Sequence, residues 1–173
     1  MKLVIEGCSG SGKSTAIRRL MKFVQRPIWG LWSEKLPAGP EQDAPVYLHS
    51  YREGIAYGAE NRIGLCRQRQ ATAFPAVFET MGVRVLREIP EGSLVLLDEI
   101  GFMENEASAF RAELQRLLDG PFDLVIAIRD KHTELRDQIR SHPQTQVVGA
   151  REANDEDFCR RIAARLNGGE DGV

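Results

Sequence analysis

The chain of 173 residues has little of several things that would classify it at once. It has three cysteines, Cys8, Cys66 and Cys159, far apart and without CxxC spacing. That excludes a disulfide scaffold and a cysteine zinc site, and fits a reduced, cytoplasmic protein. Excess charge is also missing: 23 Lys and Arg against 25 Asp and Glu leave −2 and a pI near 6.0. Nucleic acid held by bulk electrostatics is therefore not expected. The basic groups Arg67 with Arg69 and Arg129 with Lys131 read as solvated faces. No apolar run approaches the ~20 residues that a membrane helix needs. The stretch after Met1 reads as a strand cut short by glycines rather than as a signal peptide. There is no internal repeat and no Pro- or Ser-rich linker. One domain over residues 1–166 is expected, most simply as a monomer, with 167–173 as a frayed glycine- and acid-rich tail.

What is present is alternation. Lys2–Glu6 is a short buried-type strand. Ile17, Leu20, Met21 and Val24 recur at helical spacing after Lys13, and Pro27 closes that helix. Ile28–Ser33 reads as a strand, with Trp29 and Trp32 taken to face one side of it. The segment 36–45, with three prolines, is a loop. Val46–Tyr51 and Arg62–Cys66 read as an inserted hairpin. A helix over Phe74–Glu88 has Gly82 as its weak point. The apolar runs Leu94–Asp98 and Leu124–Ile128 are the plainest strands, and helices follow both. Apolar runs of this kind, alternating with helices, indicate a mostly parallel sheet covered on both faces. The expected fold is α/β, a three-layer doubly wound sandwich.

The chemistry begins at Gly7-Cys8-Ser9-Gly10-Ser11-Gly12-Lys13-Ser14, which matches G-x-x-x-x-G-K-[ST] and lies between a predicted strand and a predicted helix. Its glycines let successive N–H groups point inward at phosphate oxygens, and the helix N-terminus adds its dipole. Lys13 supplies a full charge, and the Ser14 hydroxyl is a Mg2+ ligand. Gly7, Cys8, Ser9, Gly10, Ser11, Gly12, Lys13, Ser14 and Thr15 are thus the expected nucleotide-binding set. A glycine loop that merely caps a helix would need no lysine followed by a hydroxyl.

The second element is Leu94-Val95-Leu96-Leu97-Asp98-Glu99, an apolar strand ending in two acids, with Glu104 close behind. Two carboxylates at a buried tip repel each other and desolvate badly, so a cation must meet them. Asp98 is the expected Mg2+ ligand, and Glu99 the group that orients and deprotonates a water. Arg129, at the end of LVIAIR, reads either as a charge stabiliser near the phosphates or as a solvated strand end.

At this point the chain resembles the small P-loop nucleoside-triphosphatases, the group of the cancer-related nucleoside-triphosphatase and its thermophile relatives. The resemblance is carried by GCSGSGKST, by LLDEIGFMENEASAF, by Gly30-Leu31-Trp32-Ser33-Glu34-Lys35, and by Arg62-Ile63-Gly64-Leu65. It implies a RecA-like P-loop NTPase fold and Mg2+-dependent hydrolysis of a nucleoside triphosphate, ATP or GTP. It departs at Asn154-Asp155, where relatives carry Asn-Arg, and over Gln68–Gly92. A small-molecule or nucleotide kinase built on the same loop is the alternative. The two differ in topology: a glutamate base fits a sheet with Leu124–Ile128 between the loop strand and the acidic strand, whereas in kinases those two strands commonly abut.

Overall fold

The computed structural model describes residues 1–39, 42–68, 70–100 and 103–168. Within them, β1 (Lys2–Gly7), β2 (Ile28–Lys35), β3 (Ala44–Ser50), β4 (Arg62–Arg67), β5 (Gln70–Ala73), β6 (Leu94–Ile100), β7 (Asp123–Arg129) and β8 (Thr145–Gly149) form one sheet, in the order β5-β4-β3-β2-β6-β7-β1-β8. From β2 to β8 all neighbours are parallel. The strands β3, β4 and β5 extend β2 in antiparallel fashion. Thus β7 separates β1 from β6, as the glutamate-base reading requires. The expected hairpin is present, and a short third strand, β5, is added to it.

Burial on both faces selects the centre of this sheet. Every residue of Leu124–Ile128 is fully buried. Leu94 and Leu96 pack with Ile17, Leu20, Phe158 and Ile162, from α1 (Lys13–Met21) and α7 (Glu156–Leu166). Their neighbours Val95 and Leu97 pack on the other face with Phe78, Leu86, Phe110, Leu114 and Ile139. Those residues come from the segment Pro75–Arg87, from α4 (Ser108–Asp119) and from α5 (Glu134–Ser141). Three layers result. The predicted helix over Phe74–Glu88 is realised as α2 (Pro75–Val77), a π-helical turn Phe78–Gly82, and α3 (Val83–Arg87). Gly82 sits in that turn, where a Cβ would meet the Phe110 ring at 2.9 Å.

One expectation is corrected. Trp29 and Trp32 do not share a face, because three positions along a pleated strand reverse the side. Trp29 packs with the Leu97 and Leu31 cluster and carries Arg52 on its ring. Trp32 lies against His49, with ring centroids 4.4 Å apart. Of the predicted frayed tail, Asn167 is hydrogen-bonded to Phe23 and Gln25, and 169–173 lie outside the described residues.

Gly30 marks where β2 and β6 press together. Its φ is +112°, and a Cβ there would stand 2.2 Å from the Leu96 carbonyl oxygen. Left-handed strain and a backbone clash then add. We expect Gly30→Ala to destabilise the chain by about 3 kcal/mol or more, lowering the melting temperature by roughly 6–12 °C. A melting temperature within about 2 °C of the parent would refute the close approach.

Candidate active site

The phosphate loop leaves β1 at Gly7 and enters α1 at Lys13. Gly10 and Gly12 hold φ of +78° and +92°, conformations that side chains other than glycine resist. Gly7 is glycine for space: a Cβ there would fall 2.3 Å from Ser11 Oγ, which is buried beneath the loop. Cys8, Ser9 and Gly10 form its exposed rim. Lys13 is only 3% exposed, and its Nζ donates to the carbonyls of Gly7 and Cys8, both at 2.9 Å. The cavity over this loop, about 270 Å3, is lined by Gly10, Gly12, Lys13, Ser14, Thr15 and Glu99.

Two strands away in the sheet, β6 delivers the acids. Ser14 Oγ donates to Asp98 Oδ1 at 3.2 Å, joining groups 84 positions apart in the chain. Burial holds the Asp98 carboxyl above its usual range, and Glu99 adds to that, against the Ser14 bond and the charges of Lys13 and Arg18. Burial and the Asp98 charge raise the Tyr51 hydroxyl likewise, so it stays protonated beside the acid. Asp98 is thus a carboxylate short of a counter-cation.

Consecutive strand residues ordinarily point to opposite faces, which would separate Asp98 from Glu99. The β6–β7 ladder avoids this. It pairs Leu97 with Ile126 and then Ile100 with Ile128, so Asp98 and Glu99 together oppose Ala127. That is a β-bulge, and Glu99 adopts the left-handed conformation, φ +64°, that such bulges usually give to glycine. The bulge aims Glu99 at the phosphate-loop cavity. Arg129 Nη2 donates to Glu99 Oε2 at 3.0 Å. In this structure Arg129 is turned to that carboxylate and does not line the phosphate cavity.

Sequence reading noted Asn154 only within the Asn154-Asp155 departure and gave it no structural role. Its Nδ2 donates to the Gly12 carbonyl at 3.0 Å and to Ala150 at 2.8 Å, which ties the turn before α7 to the hinge of the phosphate loop. A contact across 142 positions leaves no local signal. Gly101 and Phe102, within the stretch that carries the family resemblance, lie outside the described residues.

The state of Asp98 has a measurable sign. A carboxyl raised by folding disfavours the folded state while ionised, so stability rises as pH falls through its raised pKa toward the ordinary carboxylate value. Asp123 acts oppositely. Burial pushes it up, but the N-terminal ammonium and Arg26 outweigh this and lower it. Its stabilisation is lost only as pH falls through that lowered value. We expect Asp98→Asn to melt higher than the parent at neutral pH without ligand, and to lose the gain on mild acidification. Equal melting curves for the two proteins at neutral pH would count against an uncompensated carboxylate.

The model of a family described as "NTPase" matches residues 2–163. The nucleoside-triphosphatase THEP1 of Thermotoga petrophila is 26% identical over 178 positions, covering 98% of this chain and 96% of the relative. The protein of the same name from Methanothermobacter thermautotrophicus is 27% identical over 139 positions, covering 76% and 78%. Among solved structures, THEP1 from Aquifex aeolicus superposes with a TM-score of 0.66 at 19% identity, over 96% of this chain and 99% of that one. A human cancer-related nucleoside triphosphatase gives 0.66 at 21%, over 98% and 99%. At those identities the structures speak for the fold, which is the same three-layer α/β sandwich.

Proposed function

The chain belongs to the NTPase family, and from that premise we propose that it is a Mg2+-dependent enzyme that binds ATP or GTP and slowly hydrolyses the terminal phosphoanhydride bond. The observation that carries the reading is the meeting of Ser14 and Asp98 at 3.2 Å beneath the phosphate loop, with Glu99 turned into the same cavity by the bulge. The residues fit the metal. Asp98 is half-buried and short of a cation, and the Ser14 hydroxyl beside it is a hard oxygen donor. Among the described residues no cluster of three or more His, Cys, Asp or Glu would hold a metal by itself. That suits an ion completed by the nucleotide's phosphates. Mg2+, when bound, neutralises charge on the β and γ phosphates.

The protein's own groups then have separate tasks. The N–H groups from Gly10 to Ser14 and the N-terminus of α1 receive phosphate oxygens. Lys13 exchanges two backbone carbonyls for phosphate. Glu99 takes a proton from the water that attacks the γ-phosphorus, and nucleoside diphosphate and phosphate leave. Arg129 holds the Glu99 carboxylate and is available to developing charge. The same reading makes the molecule a cytoplasmic monomer whose partner is the nucleotide. Three free cysteines fit a reducing compartment, and among the described residues no helix is long and apolar enough to cross a membrane.

Topology favours hydrolysis over the kinase alternative, since β7 lies between β1 and β6 and leaves space for water beside Glu99. The test is phosphate release with Mg2+ and each nucleoside triphosphate, alone and with each nucleoside monophosphate. Free phosphate is expected throughout. Diphosphate pairs in its place would establish the kinase.

A further inference from the structure

Glu99 borders two cavities. One is the phosphate-loop cavity, and the other lies behind it, on the opposite side of β6. The rear chamber encloses about 50 Å3 between the antiparallel strands β2, β3 and β4 and the end of β6. Three stretches that the nucleotide site left unused converge there. From GLWSEK come Ser33 and Lys35, from RIGL comes Ile63, and from the sequence after Glu99 come Met103 and Glu104. Gly64 gives the second stretch its reason, since a Cβ on it would meet the Met103 thioether at 3.0 Å and the Thr72 carbonyl at 2.6 Å. The absence of that Cβ lets Met103 close over β4.

The chamber's chemistry suits water. A void of this size holds a few water molecules and no sugar or base, and each water needs two to four polar partners. Ser33, Lys35, Glu99, Glu104 and Arg129 supply them around an apolar floor of Val46, Ile63 and Ile100. Glu104 is 1% exposed, so this polar lining reaches deep into the molecule. When a nucleotide fills the front cavity, the opening over the phosphate loop is occupied, and the face of Glu99 toward the rear chamber still reaches water.

We propose that the rear chamber is the water store of the hydrolytic reaction, feeding the nucleophile to Glu99 and excluding larger hydroxyl acceptors. The inference rests on the hydrolase reading and adds its acceptor selectivity. Water oxygen bonds to the γ-phosphorus, the bond to the β–γ bridging oxygen breaks, and the proton passes to Glu99. A polyol such as glycerol in the same position would yield a glycerol phosphate instead. The chamber denies it that position by size.

The test uses the full chain with MgATP. Cys66→Phe and Ile63→Phe push a ring into the chamber from β4, and Met103→Ala widens it. The filled variants should lose kcat by about tenfold or more, with KM within about twofold of the parent, because substrate binding is untouched. In a water–glycerol mixture, Met103→Ala should convert a larger share of γ-phosphate into glycerol phosphate than the parent, read by phosphorus NMR. If the parent hydrolyses ATP and folded filled variants match its kcat, the chamber proposal is overturned while the hydrolase reading stands. A parent that releases no phosphate overturns both. Should both filled variants fail to fold, Met103→Ala decides alone, and an unchanged glycerol phosphate share overturns the proposal.

Discussion

Glu99→Gln is expected to bind Mg2+-nucleotide as the parent does and to release phosphate about 100-fold more slowly or worse, the ordinary worth of a positioned general base. In activation terms that is roughly 2.7 kcal/mol. The amide keeps the shape and still accepts the Arg129 hydrogen bond, so geometry is preserved while the proton acceptor is lost. A variant that hydrolyses at the parent rate removes Glu99 from the role of base. The left-handed backbone supplies a second, independent arm. A non-glycine residue held there costs about 1–3 kcal/mol. The half-exposed pair with Arg129 returns only about 0–1 kcal/mol. Glu99→Gly should therefore be as inactive as Glu99→Gln yet no less stable, melting roughly 2–4 °C higher for each kcal/mol released. Parent-like activity with lower stability would reverse both halves of the account. Activity and stability pull against each other at this residue, as expected where backbone strain aims a functional group.

That same residue shows where sequence reading stops. Leu124–Ile128 is apolar on every position because both of its faces are covered, and this pattern, joined to the topology that a glutamate base after Asp98 implies, placed it at the centre of the sheet. The phosphate loop was legible for a related reason, since its function requires particular residue types at fixed spacing within a dozen positions. The bulge at Asp98–Glu99 had no such signature. It depends on a two-for-one register against Ala127, and no glycine announces it. Sequence could say that two acids end the strand. It assigned both to the phosphate site, but it could not give the register that lets consecutive residues face it together. Trp29 and Trp32 failed from parity: with an odd spacing, a pleated strand reverses the side. Asn154 was read as a departure from the family pattern, yet its amide grips Gly12 across the molecule. Local pattern carries periodicity and punctuation. Single long-range hydrogen bonds and one-residue register shifts lie outside it.

Lys13→Ala tests the other half of the site, and its effect separates binding from folding. In the ligand-free chain the ammonium is buried and satisfied by the Gly7 and Cys8 carbonyls, at the N-terminus of α1 where a positive charge is unfavourable. Removing it frees two carbonyls at the loop's open rim and relieves that unfavourable placement. Ligand-free stability should stay within about 1 kcal/mol of the parent. Binding should suffer far more, because charge-assisted bonds to phosphate are worth about 1.5–3 kcal/mol each and, among the described residues, no other cation lines the cavity. We expect nucleotide affinity to fall about 100-fold or more, with phosphate release nearly abolished. The thermal shift makes this visible without turnover. Nucleotide at 100 times its dissociation constant stabilises the parent by about 2.7 kcal/mol. At the same concentration a variant weakened 100-fold gains only about 0.4 kcal/mol. Lys13→Arg should not rescue it, since a planar fork does not replace a compact ammonium held between two carbonyls 2.9 Å away. A nucleotide-induced shift of parent size in Lys13→Ala would mean that the phosphates are held elsewhere, and the site built around Ser14, Asp98 and Glu99 would fall with it.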